Sequence, residues 1–509
     1  MSESYLLSHD VGTTGNKATL YSEKGELLAS STYGYPTRYP KASWAEQDPL
    51  NWWKGVCEST KRLLEIARIS PGDVACMSFS GQMMGCLPVD KNGNHLRSSI
   101  IWADNRAVDE ARAFERAIPT DKVYRITGTP ITANYPAAKI MWVRNNQPEI
   151  YKKTYKFLQA KDYVAYRLTG KFATDYSDAS TTNLLDIVHK IWCSEILDAT
   201  GIEVEKLPDP YPSTTIIGKV SQEAARQVGL LSGSPVVIGG GDGSCATVGA
   251  GVVKQGLSYM YLGSSSWVAS ATKEPLFDQK ARTFIVCHLD SELYTPIGTM
   301  QTAGGSYEWL KDAVCLTETQ AAKRVGVSAY QIMDLKAETA RPGADNLIFL
   351  PYLMGERSPY WNPRAKGAFI GLNKTHKREH LIRAVLEGVA YNLRAIMEAL
   401  QEEGVRIDEV RLIGGGAKSW VLRQILADVC DKPLLRPLLL EEATSLGAAI
   451  AGGVGIGMFQ DFSVAEKLVR ITATNYPRPE TRERYENLYF IFKDAYHALV
   501  PIFERIASL

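Results

Sequence analysis

Apolar and polar positions at the start of the chain alternate in short runs broken by turn residues. Tyr5 to His9, Lys17 to Tyr21 and Leu27 to Thr32 read as strands, separated by Gly12-Thr13-Thr14-Gly15 and Glu23-Lys24-Gly25. This predicts an antiparallel meander. Asp48 and Pro49 then supply a cap and a first helical residue, and Leu50, Trp53, Val56, Thr60, Leu63 and Leu64 follow at helical spacing. A strand over Val74 to Phe79 comes next. Much later, Pro235 to Ile238 is a short apolar strand that runs into Gly239-Gly240-Gly241-Asp242-Gly243.

Past residue 250 the pattern begins again. Gly256 to Leu262 and Trp267 to Ser270 read as strands around the turn Gly263-Ser264-Ser265-Ser266. A helix from about His376 to Gln401, with Thr375 placed to cap it, leads to a strand over Glu409 to Ile413. Gly414-Gly415-Gly416-Ala417 and a helix from Ser419 to Cys430 follow. Helix and strand alternate on both sides, so the chain is expected to be α/β with two domains, 1–250 and 251–509. The final apolar stripe, Tyr485, Leu488, Phe492, Tyr496 and Leu499, is expected to pack a helix onto its own domain.

Length agrees with two domains, since 509 residues exceed what one compact core accommodates. Hydrophobic residues at 45% and charged residues at 22% are ordinary for globular proteins. Lys plus Arg (57) nearly cancels Asp plus Glu (56), which leaves no electrostatic footprint for nucleic acid or an anionic membrane. The partner is expected to be small. The apolar stretch Leu446 to Phe459 has 14 residues and five glycines. That is short of the roughly 18 that argue for a membrane span, so it reads as a buried helix. Met1 to Asp10 lacks a basic segment followed by an apolar run, so a cytoplasmic location is expected. Eight cysteines without a CxxC pair suggest reduced core residues, not a disulfide scaffold or a thiolate metal site.

Three places carry candidate chemistry. Asp10-Val11-Gly12-Thr13-Thr14-Gly15-Asn16-Lys17 sets a carboxylate at a strand end before a hairpin rich in glycine and hydroxyls. Its N–H groups and hydroxyls can cradle phosphate while Asp10 holds Mg²⁺, or the segment is a plain hairpin whose Asp caps the turn. Asp242, among glycines after a buried strand, can act as a general base on a substrate hydroxyl or serve only as a helix cap. Gly263-Ser264, Gly304-Gly305 and Gly414-Gly415-Gly416-Ala417 can admit a nucleotide close to the backbone, or are turns of the usual kind. Neither GxGxxG in a Rossmann context nor GxxxxGK[ST] is present. His376-Lys377-Arg378-Glu379-His380 matches HxxEH formally, yet it reads more simply as an exposed first helical turn than as a zinc site.

Taken in order, these segments resemble the FGGY carbohydrate kinases of the actin-like ATPase fold, nearest the xylulokinase-like branch. The likeness runs from about Tyr5 to Gly457. It includes Ser43-Trp44-Ala45-Glu46-Gln47-Asp48-Pro49, Gly81-Gln82-Met83, Trp102-Ala103-Asp104-Asn105-Arg106 and Lys139-Ile140-Met141-Trp142-Val143. It continues through Pro351-Tyr352-Leu353-Met354-Gly355-Glu356-Arg357 and Gly367-Ala368-Phe369-Ile370-Gly371-Leu372. The resemblance implies two domains of duplicated ribonuclease H-like fold with the active site in the cleft between them. It implies an N-terminal domain carrying the sugar and the base, and a C-terminal domain carrying the nucleotide.

By the same resemblance, Asp242 takes the proton from the attacking sugar hydroxyl and Asp10 organises Mg²⁺. Gly12, Thr13, Thr14, Lys17, Gly263 and Ser264 hold the ATP phosphates. Gly304, Gly415, Gly416, Ala417 and Ser419 border the nucleotide, and Gln82, Met83, Trp102 and Asp104 line the sugar pocket. This suits phosphoryl transfer, where the protein mostly positions groups and stabilises charge. A homodimer belongs to the resemblance alone.

Two departures touch the substrate. Xylulokinases usually carry GQMHG and an Asp-Asn pair, whereas Gly81-Gln82-Met83-Met84-Gly85 and Asp242-Gly243 stand here. Each lost donor leaves a sugar hydroxyl unpaired at a cost of roughly 1–3 kcal/mol. D-xylulose leads, with another ketose, a polyol or an aldonate such as gluconate as alternatives. An actin-like chaperone ATPase and a non-catalytic sugar sensor are the competing classes. The nucleotide elements run nearly to the end of the chain, which disfavours the first; Asp10 and Asp242 are both present, which disfavours the second.

Overall fold

The computed structural model describes residues 4–509; Met1 to Glu3 of the opening segment lie outside the described residues. The meander forms as the alternation predicts, with strands Tyr5–Val11, Gly15–Ser22 and Leu27–Gly34 pairing antiparallel. Tyr5–Val11 also pairs parallel with Val74–Gly81, which sets Asp10 opposite Lys17 on one side and Ser80 on the other. Pro235–Val237 and Ile216–Lys219 extend this sheet on the far side of Val74–Gly81. The helix Pro49–Ala67 covers it, capped as expected by Asp48, whose side chain accepts from Leu50 N–H at 2.9 Å.

A second seven-stranded sheet repeats the plan. Gly256–Leu262, Ser266–Ser270 and Tyr294–Met300 form an antiparallel meander, and Gly256–Leu262 pairs parallel with Ile407–Ile413. Both halves thus place a tight hairpin turn beside the C-terminal end of a parallel strand, where α/β folds bind ligands. The result is a two-domain α/β molecule with a mixed sheet in each half.

The two halves are joined by crossed helices. Asp242–Gly249 follows the first sheet yet packs Ala246 among Tyr259, Ile413 and Ala443. Ala443–Gly455 follows the second sheet yet packs against Leu6 and Cys76 of the first. Glycines permit the crossing: a Cβ on Gly249 would lie 1.7 Å from Ala443 O, and one on Gly447 1.9 Å from Cys245 O. Any side chain there would force the helices apart.

Three local expectations change. The apolar run from Leu446 is helical only to Gly455, because the chain turns at Gly457, whose φ is +74°. The long helix is Arg378–Glu402, and Thr375 does not cap it. Asn373 Oδ1 accepts both N–H and Oγ–H of Thr375, closing a separate turn, while His380 Nδ1 accepts the Lys377 N–H at 3.0 Å. His376 and His380 direct their Nε2 atoms to Asp345. The motif is a helix start. The last helix, Arg482–Ala507, buries Tyr485, Leu488, Phe492 and Tyr496 against the C-terminal core, with Leu499 partly buried beside them. All eight cysteines are free thiols, seven of them buried. Among the described residues no helix is long and apolar enough to cross a membrane.

Candidate active site

Two carboxylates lie close enough to influence each other where the halves meet. Asp10 is the last residue but one of the first strand; its Oδ1 accepts from Ser80 Oγ at 2.9 Å and its Oδ2 from Thr444 Oγ at 3.0 Å. Thr444 lies in the first turn of Ala443–Gly455, so both halves hold this one side chain. Asp242 opens the helix Asp242–Gly249, with Gly241 as the cap residue, so it is not the helix cap itself. It accepts from Gly243 N–H at 2.7 Å. Part of its surface stays open at the cleft floor, but the surrounding protein strips it of most of its water. Burial first, and the negative charge of Asp10 second, push its pKa up to about 7; the Gly243 hydrogen bond opposes them. No ion pair joins a lysine or arginine to Asp10 or Asp242 among the described residues. Two acids close together without a cation suit a divalent metal such as Mg²⁺, which Asp10 could help to hold.

The hairpin after Asp10 is braced from several sides. Tyr35 donates to Gly12 O at 2.7 Å, Gln47 Nε2 to Thr13 O at 2.6 Å, and Trp102 Nε1 to Thr13 Oγ at 2.8 Å. The exposed Thr14 has no such side-chain contact among the described residues. Lys17 crosses to the other half, donating to Glu441 O at 3.1 Å and lying 3.7 Å from Glu442 Oε1. The structure therefore spends Lys17 on joining the lobes.

The opposing hairpin fits against a helix start. Ser264 O accepts from Ala303 and Gly305 N–H, and Gly263 O accepts from Gly304 N–H at 2.9 Å. A Cβ on Gly304 would fall 2.4 Å from Gly263 O, so only glycine allows this approach. Gly415 faces open space, with no heavy atom within 4 Å of where its Cβ would be. Gly416 lies against Leu262, and Ala417 is wholly buried in the core. Ser419 caps Trp420–Cys430 by accepting from Leu422 N–H. Of this group, Gly415 presents backbone to a ligand most directly.

The wall on the N-terminal side is a continuous hydrogen-bonded layer. Gln82 Nε2 donates to Gln47 Oε1 at 2.7 Å, which also accepts from Trp52 Nε1. Met83 lies over the glycines beside Asp242: a Cβ on Gly241 would meet its Cε at 2.5 Å. Trp102 remains 41% exposed, with its indole standing in the cleft. Asp104 is completely buried, and both of its oxygens are taken by Arg106 and the Ala45 N–H. It shapes the wall from behind. Lys139, also wholly buried, donates to Met84 O and Ile101 O at 2.8 Å each, and burial lowers its pKa to about 7. It pins Met84 at φ +62°.

Sequence reading missed Thr444, Tyr261 and Arg357. Thr444 sits two residues before the apolar stretch from Leu446, where only the acidic pair Glu441-Glu442 hints at a helix start. The Tyr261 phenol has its pKa raised by burial and then by Asp242, Asp10 and Glu441, which places it among the acids of the site. Arg357 follows the buried Glu356, and among the described residues its side chain makes no hydrogen bond or ion pair; its Nε is buried without a partner there. Across the cleft it lies close enough to Tyr135 for each to shift the other.

The chain matches the model of the FGGY carbohydrate kinase N-terminal domain over residues 5–249 and that of the C-terminal domain over 258–456. It is 35% identical to a gluconokinase from Bacillus licheniformis over 99% of this chain and 98% of that protein. It is 31% identical to a xylulose kinase from Bacillus subtilis (strain 168), covering 97% of this chain and 96% of that one. A crystal structure of gluconate kinase from Lactobacillus acidophilus superposes with a TM-score of 0.91 at 28% identity, covering 99% of this chain and 100% of that one. The duplicated sheets, the cleft between them and these matches over nearly the whole length agree: the chain belongs to the FGGY family of carbohydrate kinases.

Proposed function

We propose that the chain transfers the γ-phosphoryl group of MgATP to a hydroxyl of an aldonate, with gluconate the leading substrate. The observation that carries the transfer is the pair Asp10 and Asp242, close enough for one to raise the pKa of the other and with no lysine or arginine paired to either among the described residues. Asp242, with a pKa near 7, is poised to take a proton from a bound hydroxyl at neutral pH. Residues 1–250 would hold the sugar acid and the base, and 251–509 the nucleotide.

Sugar kinases of this family use ATP, generally with Mg²⁺. Asp10 would hold the ion, which when bound supplies charge neutralisation at the transferring phosphate. The hairpins at Gly12-Thr13-Thr14 and Gly263-Ser264 would grip the phosphates through N–H groups and hydroxyls, and Gly304 and Gly415 would admit the nucleotide. Trp102, Met83 and Gln82 would orient the acceptor and exclude water from the attack path.

Arg357 supports the aldonate. A largely buried guanidinium that feels Glu356 but makes no ion pair or side-chain hydrogen bond among the described residues is costly, and a substrate carboxylate would supply a direct partner. Met84 stands where a xylulokinase-like site carries a sugar-binding imidazole, and gluconokinase stands ahead of xylulose kinase in identity. D-xylulose is the second reading, supported by the Gly81-Gln82-Met83 wall and by the xylulose kinase relative.

The test is ADP release from MgATP with gluconate, D-xylulose, L-xylulose, D-ribulose, L-ribulose, D-arabitol, erythritol and glycerol, against a no-sugar control. Selective turnover of gluconate is expected. Selective turnover of a neutral ketose or polyol would overturn the aldonate, and sugar-independent ATP turnover would overturn the kinase reading for this chain.

A further inference from the structure

Directly beneath the Asp242 turn lies a cluster that nothing above uses. Lys161, wholly buried in the helix Ala160–Thr169, sits 2.8 Å from Asp162 Oδ1, 2.9 Å from Asp175 Oδ1 and 3.1 Å from Asp178 Oδ2. All four side chains are 0–1% exposed. One ammonium faces three carboxyls in a region closed to water. That arrangement is expensive to assemble unless each charge is paired, so it calls for a reason. Asp178 is wholly buried with the Lys161 ammonium 3.1 Å from its Oδ2, and burial above all pushes its pKa well above the usual carboxyl range. The Lys161 ammonium lies nearest to Asp162 and Asp175 of the three.

Asp175 conducts this charge toward the site. Its Oδ2 accepts from Ser177 N–H at 2.8 Å, from Ser177 Oγ at 2.5 Å and from Ser213 Oγ at 2.9 Å. The Ser177 hydroxyl, its proton committed to Asp175, has a lone pair free, and this accepts the Gly241 N–H at 2.9 Å. Gly241 is the residue from which the Asp242 helix starts. The fit is close on both sides: a Cβ on Gly240 would meet Ser177 Oγ at 2.8 Å, and a Cβ on Gly81 would meet Lys161 Cβ at 2.9 Å.

We propose that Lys161, Asp175 and Ser177 form a buried positioning relay that fixes the Gly241 backbone and thereby aims the Asp242 carboxylate at the acceptor hydroxyl. The proposal rests on Asp242 being the base. The permanent ammonium polarises Asp175, Asp175 orients the Ser177 hydroxyl, and that hydroxyl clamps one peptide N–H immediately before the base. A base displaced by a fraction of an ångström loses rate while substrates still bind, because the acceptor and ATP are held by other groups. Ser177 and Ser213 share the same carboxylate oxygen, but only the Ser177 hydroxyl reaches the turn; Ser213 meets it through its backbone O, which accepts the Gly239 N–H at 3.0 Å and is kept in Ser213→Ala.

The experiment compares Ser177→Ala, Ser177→Thr, Ser213→Ala and Asp242→Asn by steady-state kinetics with the sugar turned over fastest, alongside Tm and the pH profile of kcat. Ser177→Ala is expected to lower kcat at least tenfold, to leave both KM values within about threefold, and to shift the acid limb of the profile. Ser177→Thr, which keeps the hydroxyl, is expected to recover most of the loss. Ser213→Ala is expected to lower Tm as much as Ser177→Ala while keeping kcat within about threefold of the parent. Equal kcat losses in Ser177→Ala and Ser213→Ala, or an unshifted pH limb in Ser177→Ala, would overturn the relay while leaving Asp242 as the base if Asp242→Asn is inactive. An active Asp242→Asn would remove the base and the relay with it.

Discussion

Thr444, from the C-terminal half, donates to Asp10 of the N-terminal half at 3.0 Å, so the carboxylate near the end of the first strand is held by both lobes at once. A hydrogen bond to a charged oxygen is worth roughly 1.5–3 kcal/mol, so Thr444→Val is expected to lower kcat/KM for MgATP about tenfold or more. Asp10→Ala is expected to abolish the Mg²⁺ dependence along with most of the rate. Initial rates against Mg²⁺ concentration check both, and an unchanged Mg²⁺ dependence in Asp10→Ala would remove that residue from the metal.

Asp242→Asn keeps the size of the side chain and removes its basicity. Its kcat is expected to fall by about 10²- to 10⁴-fold, with ATP affinity measured by calorimetry close to the parent. In the parent, kcat/KM for the acceptor is expected to rise through pH 7 as Asp242 ionises. A profile flat from pH 6 to 8 would contradict the raised pKa.

The same raised pKa has a stability consequence. The folded state holds the Asp242 proton up to about pH 7, whereas the unfolded chain releases it near 3.8. Folded protein therefore binds more protons between those values, and the contribution of this group to stability falls as pH rises from about 4 to 7, then stays level. Asp242→Asn is expected to melt higher than the parent at pH 8, with the gap closing toward pH 4. Thermal melts at the two pH values decide it; equal Tm values at pH 8 would show that the ionised carboxylate costs nothing.

Substrate choice is expected to respond to two side chains. Arg357→Gln removes a charge-assisted contact of roughly 1.5–3 kcal/mol, so kcat/KM for gluconate is expected to drop about 10- to 100-fold while neutral sugars change little. Met84→His is expected to move preference toward a ketose without altering ATP affinity. Competition assays between gluconate and D-xylulose read both, and equal losses for both sugars in Arg357→Gln would sink the carboxylate contact.

The sequence by itself determined the elements and the order of the chemistry. Alternation and turn residues placed both meanders, Asp48-Pro49 began a helix where the structure begins one, and the glycine sites fell at strand ends. These are local properties: periodicity, φ requirements and caps act within a few residues of chain. Other features came from chain segments far apart. Thr444 reaches Asp10 over more than 400 residues, Lys17 turns to Glu441, Asp104 retreats behind Arg106 and Ala45, and the pKa of Asp242 depends on burial and on Asp10. Only the tertiary structure decided these, because the energy of a charge or an unpaired donor is set by what folding packs around it and not by its neighbours in sequence.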